Sequence, residues 1–342
     1  MMDQRWRLTV NEREFIEHVL QSDLRADGRA PYDFRKLEIE FGREDGSAEV
    51  KLGETRVMCY VSAQLVQPYK DRPNEGTLAI FAEFSPMADP AYEPGRPGEA
   101  AIELGRIIDR GLRESRAVDM ESLCVVAGKH VWSVRVDLHI LNNAGNLIDA
   151  ANIAALIALS TFRRPECTVC GDDGQQVTVH DPEVRDPLPL TIHHLPIAVT
   201  FAYFGDGNIM VIDPTYKEES VMEGRMTVTI NLNGDVCSIQ KGGGEGVMPS
   251  VIMQCLRIAF VKAAYITSEM KNRPSQDSLF ASHLQISASS PITSAIKLPL
   301  FFDLLASSPS RLDQSIMMGF NGCMNEAGIH IPRRFHLAPQ NH

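Results

Sequence analysis

Residues 46–65 read Gly-Ser-Ala-Glu-Val-Lys-Leu-Gly-Glu-Thr-Arg-Val-Met-Cys-Tyr-Val-Ser-Ala-Gln-Leu. Two strand-like runs, 47–52 and 55–65, are punctuated by Gly46 and Gly53. A side-chain period of two suits a half-buried strand and not a helix. Working outward, Leu37, Ile39 and Phe41 alternate with charged residues, and 78–84 form another strand after Gly76. A Pro-rich loop covers 86–97. The period then changes to helical over 99–118, where Leu104, Ile107, Ile108 and Leu112 recur on one side. Strands at 124–127 and 131–141 follow, then a loop at 142–147 and an Ala-rich helix at 149–162.

The pattern repeats. Residues 163–189 are polar and carry Gly and Pro, which predicts a linker. A second strand-rich half begins near Pro196, with Asn233-Gly234 marking a hairpin between 226–232 and 235–240. A helix over 247–270 closes it. Upstream, 11–24 reads as an amphipathic helix capped by Asn11, with Glu14 completing a capping box and Phe15, Val19 and Leu20 on the apolar side. The expected organisation is α+β, two strand-rich halves each followed by helices. It divides into an N-terminal helical arm (1–30), a first half (31–165), a linker (166–195), a second half (196–271) and an atypical tail (272–342). In the tail, Ser and Pro punctuate short apolar pieces such as 298–305.

Of the 342 residues, 44% are hydrophobic and 23% charged, enough to build a core. The net charge of −11 argues against broad nonspecific affinity for nucleic acid, although a local basic stripe is compatible with it. Seven cysteines without regular spacing predict a reduced, intracellular protein. Met1 to Val10 mixes charge with isolated apolar residues, which predicts no signal peptide, and no apolar run predicts a membrane span.

Several strings resemble the RNase PH superfamily: Arg25-Ala26-Asp27-Gly28-Arg29, Gly53-Glu54-Thr55-Arg56-Val57, the 76–85 strand, the Arg106 helix, the Gly145 loop and the 213–226 segment. The resemblance covers about residues 5–268 and points to ring subunits of the RNA exosome through Trp6-Arg7-Leu8, residues 67–73 and residues 146–151. It implies an RNase PH-like fold and a six-member ring of RNase PH-like subunits around an RNA channel. It also implies S1/KH-type cap subunits, single-stranded RNA as ligand, and residence in nucleus, nucleolus and cytoplasm. No cofactor, metal or membrane is implied.

Active members of that superfamily degrade RNA from the 3′ end with phosphate as nucleophile. They need cations to hold the phosphate and a carboxylate pair for a divalent ion or a proton. Position by position, the resemblance places Ala100 where an Arg is expected, three residues before Glu103. Asp149 stands where a phosphate-loop Arg is expected, and there it would cap its helix. Glu219 takes the first carboxylate position, and Arg225 replaces the second. Three groups are lost, two by reversal of charge, which predicts a chain without phosphorolytic activity. The rival readings are a phosphorolytic exoribonuclease in its own right and a plain scaffold that never touches RNA. Arg106, Arg110 and Arg113, spaced i, i+4, i+7, form a basic stripe that is either an RNA or subunit contact or a solvated helix face. Lys70 and Arg72 sit in a polar loop that lines the channel neck in the sister subunits, against the ordinary alternative of an exposed loop.

The remaining motifs are weaker. Cys167 and Cys170 form a lone C-x-x-C with His180 the nearest helper, short of the four ligands of a structural zinc site. Gly242-Gly243-Gly244-Glu245-Gly246 lacks the Lys-Ser/Thr ending of a P-loop and reads as a turn. His193-His194 reads as a strand entry.

Overall fold

The computed structural model describes residues 8–272, except 90, 91, 94, 96, 171–175, 206 and 208, together with 296–297. The 46–65 stretch forms strands β2 (Ser47–Leu52) and β3 (Thr55–Val66), paired antiparallel. Gly53 takes the first position of their two-residue turn with φ +59, where a Cβ would lie 2.7 Å from Arg35 Cδ. Around this hairpin the first sheet adds β1 (Leu37–Phe41), β4 (Thr77–Phe84), β5 (Cys124–Val126) and β6 (His130–Asn142), in the order β1-β2-β3-β6-β4 with β5 on β6. All pairs are antiparallel except β4–β6. A parallel pair needs a crossover, and it carries helix α2 (Glu99–Asp109).

Helix α3 (Leu147–Thr161) is buried continuously from Ile148 to Leu159. A helix without a polar face must be covered all round. It packs against β2 and β3 on one side and against β11 (Ile197–Phe204) on the other. Its alanines allow that close approach. β11 is buried at all eight positions, so its side chains show no alternation, as befits a central strand covered on both faces. The second sheet runs β12 (Ile209–Ile212), β11, β13 (Gly224–Ile230), β14 (Asp235–Gly243), β15 (Ile296–Lys297). Short helix α4 (Tyr216–Val221) links β12 to β13, and α5 (Pro249–Asn272) packs on β11 and β13. By length and composition α5 could cross a membrane, with mean hydropathy 1.3. Arg257 and Lys262 interrupt it, and its stripe Cys255, Ala259, Ala263, Ile266 and Met270 is spent on the core.

The structure corrects several sequence-based expectations. Helix α1 (Val10–Gln21) is capped by Thr9, not Asn11, in a capping box with Glu12. Its buried residues are Ile16 and Leu20, while Phe15 is 59% exposed. Ile16 and Leu20 pack with Ala202, Phe204, Val211, Val221 and Met222, so the arm belongs to the second half. The 99–118 helix is α-helical only to Asp109. Residues Arg110–Glu114 form a π-type turn, and Arg116 ends it at φ +54. Ser115 Oγ bonds back to the carbonyl of Gly111 at 2.6 Å, and the Ala117 N–H reaches Leu112 O at 3.1 Å, five residues back. The 166–195 linker contains a hairpin, β8 (Cys167–Cys170) with β9 (Gln176–Val179), and a strand β10 (Leu188–Pro189) that pairs with β7 (Arg163–Arg164) just before the linker. Val169, Val177 and Val179 supply the β-branched content that marks it. Apart from Asn272, which ends α5, and β15, the 272–342 tail lies outside the described residues.

Candidate functional site

The two halves meet where the loop after β6 enters α3. Gly145 has φ +94, and a Cβ there would stand 2.4 Å from Tyr216 N, so the loop lies directly on the 213–216 segment. The Tyr216 N–H donates to Ala144 O at 3.0 Å. Arg35 reaches both loop carbonyls, Ala144 O at 3.1 Å and Gly145 O at 2.9 Å, and Thr55 Oγ1 donates to Gly145 O at 2.7 Å. Asn146 follows in the left-handed region, φ +51, which asparagine tolerates better than most residues.

Asn146 gathers three carboxylates. Its side-chain amide donates to Asp149 Oδ2 and to Asp213 Oδ1, each at 2.8 Å, and its backbone N–H donates to Glu219 Oε1 at 2.8 Å. Its buried Oδ1 has no hydrogen-bond partner among the described residues. Asp213 is fully buried at φ +49 and also accepts from Arg29 (2.7 Å) and from the Arg35 side chain (2.8 Å). Burial pushes its carboxyl up, but the Arg35 hydrogen bonds and charge, then Asn146, outweigh burial and hold it below the usual range. Beside it, buried Arg25 donates to Glu218 at 2.9 and 2.5 Å and to the carbonyls of Ile212 and Asp213, each at 2.9 Å. The Arg25–Arg29 string is therefore a clasp between the N-terminal arm and the second half.

Asp149 does not cap α3, contrary to the expectation. Asn146 occupies the cap position, and its side chain accepts no capping bond from the helix N–H groups. Asp149 points inward, accepting from Thr200 Oγ1 at 2.7 Å, Thr200 N at 3.0 Å and Asn146. Burial raises its carboxyl to about 7, against those hydrogen bonds. Desolvation likewise raises Glu219 to about 7, opposed by the Asn146 N–H and by Arg225 and Arg35. Arg225 pairs with Glu103 on α2 at 2.5 Å, and Ala100 lies on the same helix one turn before Glu103. The structure thus joins Asp149 to Glu219 through Asn146, and Arg225 to the Ala100 turn through Glu103. Sequence reasoning missed Arg35, Asp213 and Asn146 as members of the site. Arg25 and Arg29 were visible as a signature without a role.

The basic candidates are exposed, and Arg106 lies one turn beyond Glu103 on α2. Arg113 pairs with Asp109 at 2.6 Å and Arg110 with Glu114 at 3.7 Å, whereas no ion pair to Arg106 occurs among the described residues. Lys70 and Arg72 stand on the β3–β4 loop, with Arg72 paired to Glu75 at 3.3 Å. That loop and the segment following α2 share one end of the first sheet, where the Gly76 N–H donates to Met120 O at 2.9 Å. Cys167 and Cys170 lie three apart on an extended strand, hence on opposite faces, and the nearby His180 Nε2 is 2.6 Å from Thr168 Oγ1. Among the described residues, no group of three or more His, Cys, Asp or Glu could hold a metal ion.

Residues 33–165 match the model of the 3′ exoribonuclease family, domain 1, and residues 194–262 match domain 2. The chain is 71% identical over 262 residues to exosome complex component RRP45B of Arabidopsis thaliana, across 77% of this chain and 60% of that protein. It is 67% identical over 267 residues to RRP45A of the same organism, across 78% of this chain and 87% of that one. Human exosome complex component RRP45 is 47% identical over 256 residues, 75% of this chain and 58% of that one. The chain therefore spans about 60% of the length of two of these three relatives. Among solved structures, a chain of the Archaeoglobus fulgidus exosome with RNA bound to the active site superimposes with TM-score 0.68 at 33% identity, covering 76% of this chain and 98% of that one.

Proposed function

The chain belongs to the RNase PH family of 3′ exoribonucleases, and from that premise we propose that it is an exosome ring subunit that guides RNA and performs no phosphorolysis of its own. The names of its relatives support the assembly, and partners would be other RNase PH-like ring subunits and S1/KH-type cap subunits. One observation carries the loss of catalysis. The two positions where the resemblance expects a phosphate-holding Arg and a second carboxylate hold an acid and a base instead, and each is satisfied within the fold. Asp149 is spent on Thr200 and Asn146, and Arg225 on Glu103.

Where the resemblance expects a guanidinium fork for phosphate, the fold holds the buried Asp149 carboxyl, joined to Glu219 through Asn146. With Arg225 in place of the second carboxylate, the pair that would hold a divalent ion or manage a proton is broken. What the chain retains is a rigid seam and an exposed set of cations suited to backbone contact, which is insensitive to base identity. The test is product release from single-stranded RNA with phosphate and magnesium. The purified chain is expected to yield no nucleoside diphosphates. Activity that survives removal of every sister subunit, and disappears on mutation of this chain, would overturn the proposal.

A further inference from the structure

Among the described Phe, Tyr and Trp residues the most exposed is Tyr69, at 72%. It stands on a turn closed by the Arg72 N–H donating to Tyr69 O at 3.0 Å, and it shares that turn with exposed Lys70 and Arg72. The turn is braced. Pro68 and Pro73 restrict the chain on either side. Pro73 O accepts from the Gly128 N–H at 2.9 Å, and at Gly76 a Cβ would meet Leu123 Cβ at 2.4 Å and Trp132 O at 2.6 Å. The ring is therefore held in water by an anchored loop, forgoing the free energy that burial would supply.

Residues 67–76 contain two cations, Lys70 and Arg72, and two anions, Asp71 and Glu75, so their net charge is zero. Arg72 is already drawn to Glu75. Phosphate attraction alone would hold RNA weakly here, and a contact of another kind is available on the same turn.

We propose that Tyr69 is a stacking platform for a base of single-stranded RNA, with Lys70 and Arg72 taking the adjoining phosphates. This rests on the reading of the chain as an RNA-path subunit and adds a base-stacking contact to it. An exposed ring face accepts any unpaired base, because every base has a π-face, whereas bases within a duplex are stacked on one another. The site therefore distinguishes single strands from duplexes without reading sequence.

The experiment uses the complex with which the full chain copurifies. Affinity is measured for a uridine oligomer and for an abasic ribose-phosphate oligomer of equal length. Tyr69→Ala is expected to weaken the uridine oligomer by roughly fivefold or more and to leave the abasic oligomer unchanged. Tyr69→Trp should keep uridine binding, which separates stacking from any loss of loop structure. Lys70→Glu combined with Arg72→Glu should weaken both oligomers alike. Photocrosslinking with 5-iodouridine should label Tyr69 in the wild-type complex. If Tyr69→Ala leaves uridine binding intact, or weakens both oligomers equally, the stacking role falls while the RNA-path reading stands on the double variant. If the wild-type complex binds neither oligomer, both fall.

Discussion

Arg25 shows what one buried side chain can hold together. Its guanidinium spends its donors on Glu218 and two carbonyls, all from the second half. Removing one partner of a buried pair leaves the other charge uncompensated, at a cost of roughly 3–5 kcal/mol. Arg25→Met should therefore lower the urea midpoint markedly, while an exposed control such as Arg110→Met should hardly move it. Acids in the same seam act in opposite directions with pH. Asp213, depressed when folded, contributes stability above its unfolded pKa of about 4 and loses it on acidification. Asp149, raised to about 7, contributes stability that is full below about 4 and lost as pH rises through 7. Asp149→Asn should flatten the decline between pH 5 and 7, a difference readable from urea titrations at several pH values. An unchanged slope would show that Asp149 is not the titrating group. An acid at 149 and a base at 225 were legible in the sequence, but the partners that satisfy them were not. Thr200 and Glu103 lie 51 and 122 residues from the acid and the base they satisfy, and no local pattern announces such pairs.

Among elements, legibility followed how local the cause was. The 46–65 hairpin, α3 and α5 are written in periodicity, and their bounds moved by only a few residues. The π-type turn after α2 was invisible because it arises from a serine hydroxyl competing for helix carbonyls and from the strand packed against Gly111, where Thr229 Cγ2 sits 3.4 Å from a Cβ position. This turn changes the value of the basic stripe. Arg110 and Arg113 are tied to acids of their own helix, and Arg106 is not. Arg106→Glu should therefore weaken RNA binding by the assembled complex more than Arg113→Glu does, with the salt-dependence slope falling by about 0.7 per lost phosphate contact. Equal effects across a salt series would mean that the intrahelical pairs open freely and that all three arginines are equivalent. The β8–β9 hairpin was misread as linker because four-residue strands among Gly, Pro and charge resemble a loop in composition.

At the scale of the molecule, the outer face of the first sheet is uncovered among the described residues. Tyr60 and Phe81 are exposed there, and Arg135 lies over the Phe81 ring at 4.4 Å. Ring interfaces of obligate assemblies are large and apolar. The chain expressed alone should self-associate or aggregate more than the same chain coexpressed with its ring partners, as read by light scattering after size exclusion. A monodisperse monomer of equal solubility would count against obligate assembly. The α+β class and the two halves were legible because strand and helix periods alternate twice. The allegiance of the arm to the second half was not, since Ile16 and Leu20 find their partners beyond residue 200.

That allegiance has a consequence in time. Arg25 and Glu218 are 193 residues apart. At a synthesis rate of roughly 5–20 residues per second, the arm emerges about 10–40 seconds before its counterion exists. During that interval Ile16 and Leu20 have no surface to cover them, even if the first sheet has already formed. The nascent chain is thus obliged to carry an unfinished leading end through most of its own translation. A ribosome-bound holdase that occupies this end should crosslink to residues 10–25 on stalled chains ending near 200, and should be gone from chains long enough to have folded α4.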